Sequence, residues 1–231
     1  MHLDLLGGGA ARGLVNALQA EFAAATGCEL RATFSAVGAM QDKLLAGEAC
    51  DLVILTAPMI DALASSNHVL GDSIAPLGRV ATGVAVRSGA PVPDVSGGDA
   101  LRQTLRAATS MYVPDTARST AGIHVRKVLR LLGVDAEVAA RLREFPNGAT
   151  AMAELARATD SAPVGITQAS EIIATPGVVL VAALPAGFEL STTYSVAVCA
   201  HASEPALARR FAQLLASAQT AEVRAQCGFG D

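Results

Sequence analysis

The part of the chain best suited to chemistry is a run of glycines with an arginine close behind it. Gly7, Gly8 and Gly9 end a short apolar stretch, and Arg12 stands in the first turn of an Ala-rich segment whose apolar residues have helical spacing. Glycines let a bound group come close to the backbone, and the free N–H groups of a helix N-terminus favour an anion. The pattern predicts an anion site made of backbone amides and Arg12. The alternative is an ordinary strand-to-helix turn that binds nothing.

The same loop does not have the pattern of a nucleotide site. A G-x-G-x-x-G fingerprint that starts at Gly7 requires glycine or alanine at the position of Arg12, and no acidic residue closes a strand about 20 residues further on. The sequence also contains no G-x-x-x-x-G-K-[ST] motif. A small anion is therefore a better candidate ligand than a nucleotide.

Metal-dependent and serine-hydrolase chemistry are both unsupported. The four histidines are isolated, and the sequence has neither an H-E-x-x-H nor a G-x-S-x-G motif. We therefore predict no metal site and no cofactor.

Two side chains are candidates for proton transfer. His124 lies near the start of a predicted helix over residues 121–132, a position that suits a neutral general base. Tyr194 lies in an extended stretch and is a candidate donor or acid. The alternative for each is a packing role, at the surface of the helix for His124 and at a hinge for Tyr194.

Composition excludes several classes of partner. The chain has 231 residues, a net charge of −4 and only 3% aromatic residues, without any run of Lys or Arg. A nucleic-acid or anionic-membrane surface requires basic patches, and base stacking requires aromatics. We therefore predict no nucleic-acid partner and no membrane insertion. The length is sufficient for a large core without a disulfide or a metal.

Cysteine usage and the N-terminus both bear on location. Cys28, Cys50, Cys199 and Cys227 are far apart and form no C-x-x-C motif, so they are predicted to be buried apolar residues in a reducing compartment. A Cys28–Cys50 bridge is an alternative. The chain enters its first strand directly after His2, which predicts a cytoplasmic protein if Met1 is the natural start, and a periplasmic one if a leader has been removed.

The first elements bring the small-residue loops together. Predicted strands over residues 3–6, 28–34 and 51–55 each run into small or hydroxyl residues and then a helix. In an open α/β sheet such loops share the carboxyl edge, where ligands bind. The loops at residues 7–10 and 35–38 and the side chain of Thr56 are therefore predicted to lie along one edge.

Two long extended stretches, residues 78–86 and 190–199, divide the chain. We interpret them as crossings between two α/β lobes, with residues 1–80 plus 195–231 in one lobe, residues 81–194 in the other, and a ligand cleft between them. A single continuous sheet is the alternative.

At this level the sequence resembles the type II periplasmic binding proteins, and within them the molybdate-binding branch of ABC-transporter receptors, including its aconitate isomerase-like members. The matching segments are F-S-A-V-G at residues 34–38, A-G-E-A-C-D-L-V-I at 46–54, the crossing at 76–91, T-A-G-I-H at 120–124, P-V-G-I-T-Q-A-S-E at 163–171 and C-G-F at 227–229. The resemblance runs through nearly the whole chain and implies a two-lobe α/β fold. It is far more specific for the fold than for the ligand.

The resemblance also implies which residues contact the ligand, and several of them differ from the family pattern. Proteins of this branch hold a tetrahedral oxyanion with loop hydroxyls and a tyrosine, and the matching positions here are Ala10, Ala36, Val37 and Gln168. Each lost hydroxyl deprives an oxyanion of a donor at about 1–3 kcal/mol. The expected ligand is therefore a di- or tricarboxylate and not molybdate.

The remaining donors suit carboxylates, since they combine planar, hydroxyl and amide groups. Arg118 belongs with them unless it is a solvated loop arginine. The predicted ligand-binding residues are Gly9, Ala10, Ala11, Arg12, Ser35, Ala36, Val37, Arg118, Ser119, Thr120, Ala121, Asn147, Thr167, Gln168 and Tyr194.

Two functions from different classes follow. The first is an isomerase of the aconitate type, which shifts a double bond in a small polycarboxylate, with His124 and Tyr194 as the candidate catalytic groups. The second is a binding protein without catalysis that delivers an organic anion, or a molybdate-like oxyanion, to an ABC permease if the chain is exported. The enzyme is favoured here because a receptor without an export signal does not meet its transporter.

Overall fold

The computed structural model describes residues 1–230 as an alternation of strands and helices. The strands are β1 His2–Gly8, β2 Glu29–Ser35, β3 Leu52–Thr56, β4 Ala75–Arg87, β5 Ser110–Pro114, β6 Leu142–Phe145, β7 Pro163–Gln168, β8 Val178–Ala183 and β9 Ser191–Val198. The helices are α1 Arg12–Thr26, α2 Val37–Leu45, α3 Ala57–Ser65, α4 Gly98–Ala107, α5 Thr120–Leu131, α6 Asp135–Val138, α7 Gly148–Arg157, α8 Ala169–Ile173, α9 Pro205–Ala216 and α10 Ala221–Gln226.

The chain divides into two compact units. Unit 1 comprises Met1–Val80 with Thr192–Asp231, and unit 2 comprises Ala81–Ser191. The chain passes from one unit to the other within β4 and again at the start of β9. The second passage lies three residues before the position expected from the sequence, so that Tyr194 belongs to unit 1.

Unit 1 is built on three parallel strands and one antiparallel strand. β1 lies between β2 and β3, both parallel to it, and β9 runs antiparallel along β3. All five residues of β3 are buried, which agrees with its unbroken apolar sequence, whereas β2 at the edge alternates between exposed and half-buried positions. The parallel register aligns the ends of the three strands.

The helices of unit 1 cover the sheet with apolar stripes. On α1 the buried side chains Leu14, Leu18 and Phe22 recur every four residues, so they share one face. Phe22 contacts Phe211 of α9, with ring centroids 4.8 Å apart. This contact holds the C-terminal part of the chain against the first helix.

Unit 2 has a mixed sheet with its own core. β5 lies between β6 and β7, both parallel to it, whereas β4 pairs antiparallel with β7 and with β8. A cluster of buried Val, Leu, Ile and Met side chains from β4, β5, β7, α4 and α5 fills the space on one side of this sheet. Among residues 1–230, no helix combines the length and the apolar character that a membrane span requires.

Two elements were missed from the sequence. The strand β6 has the sequence L-R-E-F, whose two central residues are exposed and charged, so it carries no apolar alternation. It becomes a strand because it pairs with β5, from Met111↔Leu142 to Pro114↔Phe145. The short helix α6 lies between α5 and β6 and buries only Val138. Tertiary pairing decides both elements, and local propensity does not.

A buried carboxylate joins three segments of unit 1. Asp51, just before β3, accepts hydrogen bonds from Asp4 N at 2.8 Å, Ser203 N at 2.6 Å, Ser203 Oγ at 2.9 Å and Glu204 N at 3.3 Å. Burial opposes its charge, but these donors outweigh burial, and the pKa of Asp51 is lowered. The carboxylate thus fixes the first strand and the start of α9 to the central strand.

We expect Asp51→Ala to lower the free energy of unfolding by about 2–4 kcal/mol at pH 7, because it leaves buried N–H donors unpaired. A carboxyl with a lowered pKa stabilises the fold above its unfolded pKa of about 3.9, and this contribution is lost as pH falls further. The deficit of the variant should therefore shrink below about pH 4. Urea unfolding of both proteins measures it, with the exposed Asp61→Ala as the matched control. Equal losses in the two variants would contradict the role of Asp51.

Candidate functional site

The carboxyl edge of the unit 1 sheet carries three helix N-termini. β1, β2 and β3 end together, with Gly8 paired to Ser35 and Gly7 to Ile54. A 3₁₀ turn at Gly9–Ala11 leads into α1, while α2 and α3 start directly after their strands. Within the described residues, none of these three helices has a side-chain cap hydrogen bond. The first N–H of α1, at Arg12, already donates to Gly9 O, and Pro58 in the first turn of α3 has no N–H. The donors to an anion are therefore the first amides of α2 and those of the turn that precedes α1.

The side chains of the two loops at residues 9–12 and 35–37 are small, apart from the cation Arg12. Arg12 is the first residue of α1 and is exposed, and Ser35 is half-buried at the end of β2. Ala10, Ala36 and Val37 are buried within the same loops and bring no hydroxyl. The geometry thus brings together the unit 1 residues that the sequence singled out, with Gly9 and Ala11 in the turn. The donors of this edge are backbone amides, the Ser35 hydroxyl and the Arg12 guanidinium.

Tyr194 lies at the same edge. It pairs with Thr56 at the carboxyl end of β3, and its ring lies so close to Gly8 that a Cβ there would be 3.4 Å from Cε1. The ring also contacts Phe229 edge-on, with centroids 6.2 Å apart. Tyr194 is nearly fully buried, at 2% exposure. It therefore packs among the loops of unit 1, next to the predicted anion site.

Unit 2 repeats the arrangement with different chemistry at the helix ends. β5, β6 and β7 run parallel and are followed by α5, α7 and α8, so the three helices start at one edge. Here side chains already occupy two of the helix ends. Ser119 Oγ accepts from Gly122 N at 3.4 Å, and Asn147 Oδ1 accepts from Thr150 N at 2.8 Å. The first N–H groups of α5, at Thr120 and Ala121, precede the capped one.

Glu171 places an internal carboxylate at the start of α7. It accepts a hydrogen bond from Thr167 Oγ1 at 2.5 Å and backbone hydrogen bonds from Gly148, Ala149 and Gln168. A Cβ at position 148 would overlap the carboxylate, so glycine is required for this approach. Burial raises the pKa of Glu171, and the hydrogen bonds only partly offset this effect. The first N–H groups of α7 therefore already have the Glu171 carboxyl as their acceptor, which makes this N-terminus a weaker site for an external anion.

Two predicted ligand groups of unit 2 are committed to these internal contacts. The hydroxyl hydrogen of Thr167 is donated to Glu171, so this hydroxyl has only its acceptor side left for a ligand. The Asn147 carbonyl oxygen is used by the cap, and its amide NH₂ is the group left for recognition. Gln168 is buried at the end of β7, opposite Thr82 of β4.

Three polar residues of this edge were missed from the sequence. Glu171 and Ser170 follow Gln168 in the T-Q-A-S-E segment, and a charged residue so close to a buried strand end was the available signal. Thr82 Oγ1 and Ser170 Oγ are both buried and have no hydrogen-bond partner in the part of the chain that the structure describes. Thr82 had no local signal, because it lies in the middle of a β-type run.

His124 is held by a hydrogen bond to the backbone. Its Nε2 lies 2.7 Å from the carbonyl oxygen of Phe188, and a carbonyl only accepts, so Nε2 carries the proton and Nδ1 is the basic nitrogen. Phe188 in turn packs on Gly98, the first residue of α4. This contact gives His124 a packing role in unit 2. Arg118, six residues before His124 in the sequence, is exposed. Its backbone N–H donates to Asp115 Oδ1 at 3.0 Å.

Metal ligands do not cluster in the part of the chain that the structure describes. Over residues 1–230, no group of three His, Cys, Asp or Glu side chains is placed to hold a metal ion.

Comparison with known proteins agrees with this architecture. Residues 3–230 match the family of bacterial extracellular solute-binding proteins. The chain belongs to this family. An aconitate isomerase from Pseudomonas sp is 32% identical over 226 residues, which cover 95% of this chain and 84% of that protein. The chain therefore has a relative that is named as an enzyme.

Solved structures show the fold. The periplasmic molybdate-binding protein of Azotobacter vinelandii is similar with a TM-score of 0.82 at 17% identity, over 99% of both chains. A sulfate-binding protein from Mycobacterium tuberculosis H37Rv is similar with a TM-score of 0.76 at 20% identity, over 99% of this chain and 86% of that one. The predicted fold class, a two-lobe type II periplasmic-binding-protein fold, is confirmed, as is the predicted branch of the family.

The raised pKa of Glu171 gives a pH dependence of known sign. A carboxyl whose folded pKa lies above its unfolded value of about 4.3 stabilises the fold at low pH, and the contribution is lost as pH rises through the folded pKa. Between pH 5 and pH 8, the stability advantage of the wild type over Glu171→Gln should therefore decrease as pH rises. Urea unfolding across this range measures the free energy of unfolding of both proteins. Because both contain Asp51, its pH-dependent contribution cancels in the difference between them. Glu154→Gln, at the surface of α7, should show no such trend; an advantage that grows with pH would overturn the assignment.

Proposed function

We propose that this solute-binding-family protein binds a small organic di- or tricarboxylate and shifts a double bond in it. The observation that carries the binding part is the start of α2, which has no side-chain cap, next to the Gly9–Ala11 turn and Arg12 at the unit 1 edge. Carboxylates accept several N–H donors at once, and a guanidinium pairs with them bidentately. The relative named aconitate isomerase, at 32% identity, supports both the polycarboxylate and the reaction.

The choice of a carboxylate over a tetrahedral oxyanion rests on the side chains of the edge. The loop positions 10, 36 and 37 are buried, and none of their side chains carries a hydroxyl: they are Ala10, Ala36 and Val37. A tetrahedral ion needs donors from all sides, whereas a planar carboxylate is satisfied by in-plane amides and a guanidinium. The similar molybdate- and sulfate-binding structures support anion binding on this fold without specifying this ligand.

The isomerase part requires a base that takes a proton from carbon and donors that hold the resulting charge. Helix amides meet the second need at both edges. For the first, the candidates are His124 Nδ1, the Tyr194 hydroxyl and, as a third, the Glu171 carboxylate, whose raised pKa makes it a stronger base than an ordinary carboxylate. Glu171 is the strongest of the three in basicity, because burial raises its pKa, although it is buried like Tyr194 and held by hydrogen bonds like His124.

The second candidate function is a non-catalytic receptor of an ABC importer. It is favoured by the family, whose members are solute-binding proteins, and by the fold of the molybdate-binding structure. In this case the same edge binds the anion, the partner is an ABC permease, and the protein is exported. The cytoplasmic location proposed with the enzyme is tested by fractionating cells that express the gene from its own start.

We expect cis-aconitate and citrate to stabilise the protein in thermal-shift titrations, and molybdate and sulfate to have little effect. Arg12→Gln should weaken tricarboxylate binding about 10- to 100-fold, which is the loss of one charge-assisted interaction of about 1.5–3 kcal/mol. Arg210→Gln, an exposed arginine of α9 in the same unit, is the matched control and should bind like the wild type. Micromolar binding of molybdate without any binding of polycarboxylates would sink the proposal.

Catalysis is tested by following cis-aconitate and its trans isomer by proton NMR with the purified protein. We expect conversion by the wild type and a loss of at least about 100-fold in kcat for the variant that removes the base. The variants are Glu171→Gln, His124→Ala and Tyr194→Phe, each checked for folding and for retained carboxylate binding. If carboxylates bind tightly without turnover across a panel of unsaturated acids, the receptor function replaces the isomerase. Conversion that survives in all three variants would show that the base lies elsewhere.

A further inference from the structure

Two cysteines that are far apart in sequence lie side by side in unit 1. Cys199 Sγ is 3.3 Å from Cys50 Sγ, and the Cys50 thiol donates to the carbonyl oxygen of Leu52 at 2.9 Å. The backbone holds them in place, because Leu52 pairs with Val198 and Cys199 N donates to Asp51 O at 2.9 Å. All four cysteines are free thiols, and Cys50 contacts Cys199 and not Cys28, which corrects the bridge considered from the sequence.

The two thiols differ in access to solvent. Cys50 is half-buried and follows the exposed residues 45–49, so a reagent in solution can reach it. Cys199 is only 3% exposed. Its pKa is raised by the hydrogen bond to Cys50 and by burial, so it stays a thiol in the reduced protein. The arrangement is therefore that of an accessible thiol backed by a buried partner within bonding reach.

We propose that Cys50 and Cys199 form a redox site, in which Cys50 reacts with a disulfide in solution and Cys199 resolves it into an internal Cys50–Cys199 disulfide. The geometry needs only a small shift, from the present contact to a bond of about 2.05 Å. The site is independent of the anion-binding edge and of the proposed isomerase activity.

The chemistry balances as two thiol–disulfide exchanges with a small-molecule disulfide RSSR as the oxidant. The Cys50 thiolate attacks one sulfur of RSSR, which breaks its S–S bond, forms a mixed disulfide and releases RS⁻. Cys199 then gives its proton to a thiolate and attacks Cys50 Sγ, and a second RS⁻ leaves. Two protein thiols are oxidised by two electrons, and RSSR is reduced to two RSH.

The bond would join Cys50, two residues before β3, to Cys199, the residue that follows β9. It therefore ties together the two chain segments between which the whole of unit 2 is inserted. A cross-link that closes such a long loop removes much of the freedom of the unfolded chain. Oxidation is thus expected to stabilise the protein, and reduction to return it to its starting stability.

The test uses the wild-type protein treated with oxidised glutathione and then separated from it. We expect the number of titratable thiols in denaturant to fall from four to two, and tryptic digestion without reductant to give peptide 44–79 linked to peptide 158–209. The midpoint of thermal unfolding should rise by about 5–15 °C and return after reduction.

Single variants separate the two steps. After treatment with oxidised glutathione, Cys50→Ser should keep its three remaining thiols and show no shift in Tm. In Cys199→Ala the reaction should stop at the mixed disulfide between glutathione and Cys50. Cys28→Ser and Cys227→Ser, which change the other two thiols, should behave like the wild type. A wild type that keeps all its thiols, stops at the adduct, or links Cys28 or Cys227 instead would overturn the proposal.

Discussion

The rule that shapes this protein is that parallel neighbouring strands end at the same edge of their sheet. In unit 1 the rule applies to β1, β2 and β3, and in unit 2 to β5, β6 and β7. Each of these strands is followed by a helix, so each unit has three helix N-termini at one edge, where partial positive charge accumulates. Anion binding is thus a consequence of topology, and the side chains decide which anion is preferred.

The two units use this shared geometry differently. Unit 1 leaves its helix ends without side-chain caps and adds the cation of Arg12, whereas unit 2 fills two of its helix ends with Ser119 and Asn147 and places Glu171 at one of them. Buried N–H groups must be satisfied, and unit 2 satisfies more of them internally. The donors of unit 1 are therefore the ones that an external anion can use without displacing an existing partner.

Local sequence predicted most of this fold, because the βα units carry strong periodicity and their loops carry glycine and small residues. The prediction failed where long-range contacts decide the outcome. The charged strand β6 exists only through its pairing with β5, and the pKa of Glu171 is raised by burial within the fold although the start of α7 donates hydrogen bonds that lower it. The contact between Cys50 and Cys199 depends on the β3–β9 pairing, which no local spacing reveals. Tyr194 was foreseen as a site candidate, but its place beside Gly8 required the fold.

Helix amides by themselves do not distinguish a receptor from an enzyme. They bind a carboxylate equally in the ground state and in a transition state whose charge stays on the same oxygens, and such uniform binding does not raise kcat. Acceleration requires a group whose interaction changes as the proton leaves carbon. For the proposed isomerase that group is a titratable side chain at one of the edges, and Glu171 meets the chemical condition because burial disfavours its charged form and thereby strengthens it as a base. Glu171 also accepts hydrogen bonds from the start of α7, so it has a structural role as well as the proposed chemical one. Its ionisation therefore couples the stability of unit 2 to the proposed proton transfer.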